Sequence, residues 1–212
     1  SKLLPYLMRA SGRGADDWLG GVEVFHHTQP NLLRVRAASE VATIFDCIYM
    51  TREGWLDERS AQRMERAARE QVRRSKLLLV PTAFVAEEVI RLLGAKRDSV
   101  VVTELGCDHA ARTPETRERV AASSAPYVLT VSRVDARKNH VRMLGAFEQL
   151  VASGASHHWI IAGPRGHGCE IFEAALERSS ARSRVQWREY VPDAELAALY
   201  AAADAFVFAS LS

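Results

Sequence analysis

The sequence predicts an α/β protein made of two parallel-sheet units, and three observations carry that reading. Short apolar runs, such as LLLV at residues 77–80 and YVLTV at 127–131, lack the alternation of a half-exposed strand and read as strands covered on both faces. Most are followed by segments whose apolar residues recur at helical spacing. Residues 110–126 are charged, then rich in Ala and Ser, and end in Pro126, which is the composition of an interdomain link. The expected organisation is therefore a first domain over 1–109, a link over 110–126 and a second domain over 127–212.

The bulk composition excludes more than it specifies. The chain has 212 residues, 48% hydrophobic and 25% charged, as soluble globular proteins do. A net charge of +2 is too small to argue for a nucleic-acid partner. Cys47, Cys107 and Cys169 have no metal-ligand spacing, and a scattered odd set fits reduced thiols in a cytoplasmic protein. No apolar run approaches the roughly 20 residues of a membrane span.

Taken in order, residues 2–10 form a short helix limited by Pro5, and 11–21, rich in Gly and charge, form a connector. Residues 22–27 (VEVFHH) are a strand whose end, with His26 and His27, opens a polar loop. A second strand over 41–45 ends at Asp46. Ligands of open α/β sheets bind at such C-terminal strand ends, so His27 and Asp46 are acid/base candidates. Residues 57–75 are a long helix with Leu56, Met64, Ala68 and Val72 inward. Its six arginines are interleaved with glutamates, which fits a solvated ion-paired face or, alternatively, an anionic membrane surface. A strand over 76–80 leads to a helix capped by Thr82 and ended by Gly94, and a further strand runs over 100–105 to Gly106, Cys107 and Asp108. Beyond the link, strands over 127–131, 159–162, 185–187 and 205–208 alternate with helices over 141–152, 170–179 and 194–203, the last with Asp193 as N-cap.

The candidate chemistry concentrates after the strand at 127–131. Ser132, Arg133, Lys138 and Asn139 fill the turn between it and a helix with Val141, Leu144, Phe147 and Leu150 on one face. A helix N-terminus attracts anions through its N–H groups and dipole, and two cations beside it point to a phosphate-bearing ligand. A solvated basic loop on an ordinary αβ unit would read the same way. The loop from Gly163 to Gly168 (GPRGHG) could bring backbone N–H groups and Arg165 to a phosphate, although it has neither the dinucleotide fingerprint nor a P-loop lysine. No metal site is expected.

VLTVSRVDARKNHVRMLGAFEQL resembles the phosphate-binding segment of the retaining glycosyltransferases of family four, which carry V-G-R…K-N/G in the second of two Rossmann-like domains, the GT-B architecture. WIIAGPRGHGCE, VQWREYVPDAELAALYAAADAFVFAS, IFDCIYM, VPTAFVAEEVIRLLG and ELGCD resemble further segments of that family, in the right order. The resemblance implies that Arg133 and Lys138 grip the donor diphosphate, that Gly163 and its loop line the nucleotide pocket, that Tyr190 and Val191 contact the base, and that Ser210 lies beside the phosphates. It implies a metal-independent hexosyltransferase with no cofactor beyond a nucleotide-sugar donor, and GPRGHG with RKN leans towards GDP-mannose over UDP-sugars. The implied acceptor is a carbohydrate or lipid-linked sugar, with peripheral association at the inner face of the cytoplasmic membrane and self-association as further options. An epimerase of the same architecture and an inactive binding module are the alternatives. Phe45 stands where the family often has His, Ser132 where it has Gly, and Glu189 where Gly is frequent. The family's Glu-(seven residues)-Glu motif is expected just past Ser212, so both Rossmann-like domains read as incomplete.

Overall fold

The computed structural model describes residues 10–51, 54–106 and 125–211, and the chain divides into two compact units, Ser1–Gly106 and Cys107–Ser212. The helix expected over 2–10 falls almost wholly outside the described residues, as do Cys107, Asp108, residues 110–124 of the expected link, and Ser212.

The first unit runs α1 (Ala15–Trp18), β1 (Val24–His27), β2 (Ser39–Thr43), α2 (Glu58–Arg74), β3 (Leu77–Val80), α3 (Ala83–Leu93) and β4 (Val100–Val102). Its four strands pair in parallel in the order β1-β2-β3-β4. Ala42, Ile44, Leu78 and Val80 of the sheet region pack with Ala68 of α2 and Val85, Val89 and Leu93 of α3. The helix ends follow their caps: Asp57 accepts from the Ser60 N–H, Thr82 accepts from the Val85 N–H, and Gly94 takes the left-handed conformation at φ 73°. On α2, Arg69 pairs with Glu65 and Arg73 with Glu70, so that part of its face is ion-paired.

The expected connector over 11–21 is more structured than its composition suggests. It holds α1, and Asp16 at the start of that helix is buried, accepting hydrogen bonds from the N–H groups of Arg36, Ala37 and Ala38. Burial by itself would raise this carboxyl, but those N–H groups outweigh it and hold the group down at about 2. β2 ends at Thr43 and β4 at Val102, both earlier than expected.

The second unit runs β5 (Tyr127–Val131), a 3-10 turn (Ala136–Lys138), α4 (His140–Ala152), β6 (His158–Ala162), α5 (Cys169–Glu177), β7 (Val185–Arg188), α6 (Asp193–Ala202) and β8 (Ala205–Phe206). All its strands are parallel, in the order β7-β6-β5-β8. Alternating residues divide between the two faces. Val128, Trp159 and Ile161 pack with Met143, Leu144 and Phe147 of α4 and Phe172 and Leu176 of α5. Tyr127, Leu129 and Ile160 pack instead with Leu199 of α6. Two crossovers on one face carry the chain outward to β7, and the third, on the other face, returns it to the far side of β5.

Two sequence expectations change here. The buried stripe of α4 is His140, Met143, Leu144 and Phe147, while Val141 and Leu150 are exposed. A step of three residues turns 300° at 100° per residue, so the expected series drifts about 60° per step away from the core, whereas i, i+3, i+4, i+7 stays on one face. Pro192, not Asp193, is the residue before the first turn of α6, and Asp193 lies inside that turn.

Candidate functional site

The strand order places a topological switch point between β5 and β8, where the chain's direction of travel across the sheet reverses. In open α/β sheets a ligand crevice opens outside the carboxyl ends of the two strands at such a point. The residues that fill it here are the turn after β5 and the segment after β8. The Val207 N–H donates to the Leu129 carbonyl at 2.9 Å, and Thr130 Oγ1 donates to the Val207 carbonyl at 3.0 Å. Farther out, Asn139 Nδ2 donates to the Ala209 carbonyl at 3.2 Å, and the Leu211 N–H to the Arg137 carbonyl at 2.9 Å. The Lys138 ammonium lies 4.4 Å from the centre of the Phe208 ring.

The turn itself is rigid for identifiable reasons. Asp135 accepts from the Lys138 N–H through both its backbone carbonyl and its side chain, which winds residues 136–138 into the 3-10 turn. Asn139 then sits in the left-handed region at φ 62°, the only described non-glycine residue to do so, and α4 begins directly after it. The structure thus brings Ser132, Arg133, Lys138, Asn139 and Ser210 to one crevice rim. Arg133 is exposed and, among the described residues, has no ion-pair partner. Ser132 is half-buried, with its Oγ 3.3 Å from His140 Nε2.

The glycine loop after β6 does something other than expected. A Cβ on Gly163, at φ 147°, would lie 2.2 Å from the Ser132 carbonyl oxygen, and one on Gly166 would lie 2.6 Å from the Asp135 Cβ. These glycines let the loop press against the turn after β5. The Gly163 N–H donates to the Arg188 carbonyl and the Gly166 N–H to the Val134 carbonyl, both at 2.9 Å, so neither is available to a phosphate. Arg165 is likewise committed: it pairs with Glu173, lies 3.6 Å from Glu189, and covers the Trp187 ring at 5.4 Å. The expectation that Gly163 and Arg165 present themselves to an anion gives way to a supporting role for both.

Tyr190 is 83% exposed after β7, the edge strand farthest from the switch point, and Val191 packs beside Leu199. In the first unit Asp46 is exposed, and its Oδ1 accepts from the Ile48 N–H at 3.2 Å. His27 is not a loop residue. It ends β1 at 2% exposure, with Nε2 2.9 Å from Glu40 Oε2 and Nδ1 3.2 Å from Asn31 Oδ1. Glu40 also pairs with Arg74 at 2.7 Å, so His27 belongs to a buried polar network and cannot reach a substrate. Among the described residues no group of three His, Cys, Asp or Glu side chains could hold a metal, and no helix is long and apolar enough to cross a membrane.

Sequence reasoning overlooked His140. It is 2% exposed, ringed by Trp159 and Phe172, and burial pushes its pKa down to about 4 against the smaller opposing pull of Asp135. Its place at i−3 from Met143 and i−7 from Phe147 was the available signal.

Residues 112–212, within the second unit, match the family model described as Glycosyl transferases group 1. The O-antigen chain mannosyltransferase B of Escherichia coli is 27% identical over 195 residues, 89% of this chain and 51% of its own length. The serotype-specific mannosyltransferase WbdA of Escherichia coli is 28% identical over 149 residues, 63% of this chain and 18% of its own length. The chain thus spans about half the length of the first relative and far less of the second. Among solved structures, a sucrose-phosphate synthase from Thermosynechococcus elongatus superposes with a TM-score of 0.74 at 16% identity, covering 99% of this chain and 55% of that one. WaaG, a glycosyltransferase involved in lipopolysaccharide biosynthesis, superposes with a TM-score of 0.66 at 20% identity, covering 89% and 53%. The fold is therefore two parallel-sheet α/β units like those of GT-B glycosyltransferases.

Proposed function

We propose that this chain serves a hexosyltransferase that moves mannose from GDP-mannose to a carbohydrate or lipid-linked acceptor, with retention of configuration and without a metal. The observation that carries the reading is the exposed Arg133 guanidinium, without an ion-pair partner among the described residues, at the switch point of the second sheet. Departure of GDP places negative charge on the diphosphate, and Arg133 and Lys138 on the rim would stabilise it as it develops. Ser132, Asn139 and Ser210 complete the rim, Tyr190 and Val191 remain the base-contact candidates, and mannose is favoured because both relatives are mannosyltransferases. Of the two acid/base candidates only Asp46 is kept, since both ring nitrogens of His27 face partners. The cationic α2 would favour the inner face of the cytoplasmic membrane, and the exposed Phe206 and Phe208 of the β8 segment would favour self-association.

The test is calorimetric titration of the chain and its Arg133→Ala variant with GDP and UDP, followed by anomeric NMR of products from GDP-mannose with and without a mannosylated acceptor. Loss of one charge-assisted hydrogen bond predicts about tenfold weaker GDP binding in the variant. Equal affinity of both proteins for GDP would sink the diphosphate assignment. An altered sugar nucleotide without acceptor would mark an epimerase, and binding of neither nucleotide would mark an inert module.

A further inference from the structure

We propose that Phe208 is a positioning residue whose ring holds the Lys138 ammonium on the crevice rim, so that a diphosphate meets a cation already in place. This rests on the diphosphate reading above and deepens it. The ammonium lies 4.4 Å from the centre of the Phe208 ring, within reach of a cation–π contact. The pair is held from both sides. The two residues flanking Lys138 are each bonded to the segment that carries the ring: the Arg137 carbonyl accepts from the Leu211 N–H at 2.9 Å, and Asn139 Nδ2 donates to the Ala209 carbonyl at 3.2 Å. The ring in turn stacks on Phe206, with 6.3 Å between centres and 14° between planes. Phe206 leans on Tyr200 of α6 at 5.4 Å. The two phenylalanines are two residues apart, the period of a strand, and share the side of the sheet on which Leu129, the partner of Phe206 in β5, meets α6.

The consequence is an ordered cation. A lysine side chain gives up rotamer freedom when it grips a ligand, and that loss weakens binding. A side chain already held in place loses less. An aromatic ring also attracts an ammonium without a formal charge of its own, whereas the carboxylates of Glu173 and Glu189 offset the charge of the Arg165 they hold. Phe208 thus orders Lys138 and adds no negative charge to an anion site.

The contact is read first by NMR in the whole chain without ligand. The ring should shift the Lys138 ε-protons upfield, and Phe208→Leu should return them to the ordinary lysine position; equal shifts in the two proteins overturn the proposal. Calorimetry with GDP and with inorganic pyrophosphate forms the second arm. Phe208 is 49% exposed, so Phe208→Leu should weaken both ligands about two- to fivefold, the scale of a cation–π contact at such a site. Phe208→Tyr, which keeps the ring, should bind as the parent does. Mono-, di- and trifluorophenylalanine in place of Phe208 keep the ring's shape while withdrawing negative charge from its face, so affinity should fall stepwise along that series. A ring that acted only by packing would give no such gradient. On a Lys138→Ala background Phe208→Leu should weaken binding no further, because the ring acts through Lys138. Tighter binding by Phe208→Leu, a flat response to fluorination, or an undiminished loss on the Lys138→Ala background overturns the proposal. If the unaltered chain binds neither ligand, the diphosphate reading fails and this one with it. If it binds both and the fluorinated chains match it, only the Phe208 inference falls.

Discussion

Replacing Gly163 by Ala should destabilise the second unit by about 2–6 kcal/mol, and the figure follows from two separate costs. At φ 147° the backbone lies outside the regions that a residue with a Cβ adopts, which costs about 1–3 kcal/mol. The new methyl would also lie 2.2 Å from the Ser132 carbonyl oxygen and 2.6 Å from its carbon, so one of the two chains must move by most of an ångström. Both are main chain and well tied. Gly163 donates to Arg188, its carbonyl accepts from Trp187 Nε1 at 2.8 Å, and Ser132 donates to Ala162. Overpacking of that kind costs about 1–3 kcal/mol more. Gly145, inside α4, is the matched contrast, because a Cβ there meets nothing within 4 Å. Gly145→Ala should stabilise the helix by about 0.5–1 kcal/mol. Urea denaturation followed by tryptophan fluorescence reads both, since Trp159 and Trp187 belong to the second unit and Trp187 touches Gly163. With a slope of about 2 kcal/mol per molar, the Gly163→Ala midpoint should fall by about 2 M. A midpoint within about 0.3 M of the parent would refute the close-approach account and return Gly163 to the role of an open ligand contact.

Two further expectations follow from the same kind of reasoning. Asn139 holds a left-handed conformation and donates to Ala209, so Asn139→Ala should cost about 2 kcal/mol, while Asn139→Gly should cost only the hydrogen bond, about 1 kcal/mol; equal losses in denaturation would show that backbone strain plays no part. Asp16 is held at about 2 in the folded chain against 3.8 ordinarily, so its stabilisation is complete above about pH 4 and is lost as pH falls towards 2. The amount is about 2 kcal/mol, and an acid-unfolding profile of Asp16→Asn with the same slope between pH 4 and 2 would contradict it.

The order and type of most elements were legible because their signals are local. Unbroken apolar runs marked β3, β5 and β6, and the ends of α3 followed from Thr82 and Gly94, whose capping chemistry acts within a few residues. The same holds for the cationic turn after β5, whose Arg133 and Lys138 stand close together in the sequence. Even the stripe of α4 was recoverable from its spacing, and its misreading cost the sequence view His140.

What the sequence determined by itself, then, is a pair of parallel α/β units with a cationic turn at the end of one strand. Only the tertiary structure decided which of the arginines that follow β5 and β6 stays available. Arg165 and Arg133 look equivalent as sequence, yet Glu173 and Glu189 neutralise the first while the second stands exposed. His27 and Asp46 both follow strand residues, yet the first is sealed by Glu40 and Asn31. The rim itself depends on Asn139 meeting Ala209 and Thr130 meeting Val207, partners 70 and 77 residues apart. Periodicity and capping act over one or two helical turns, whereas the return of β8 to the far side of β5 is set by packing α6 on the opposite face of the sheet, which no local pattern encodes.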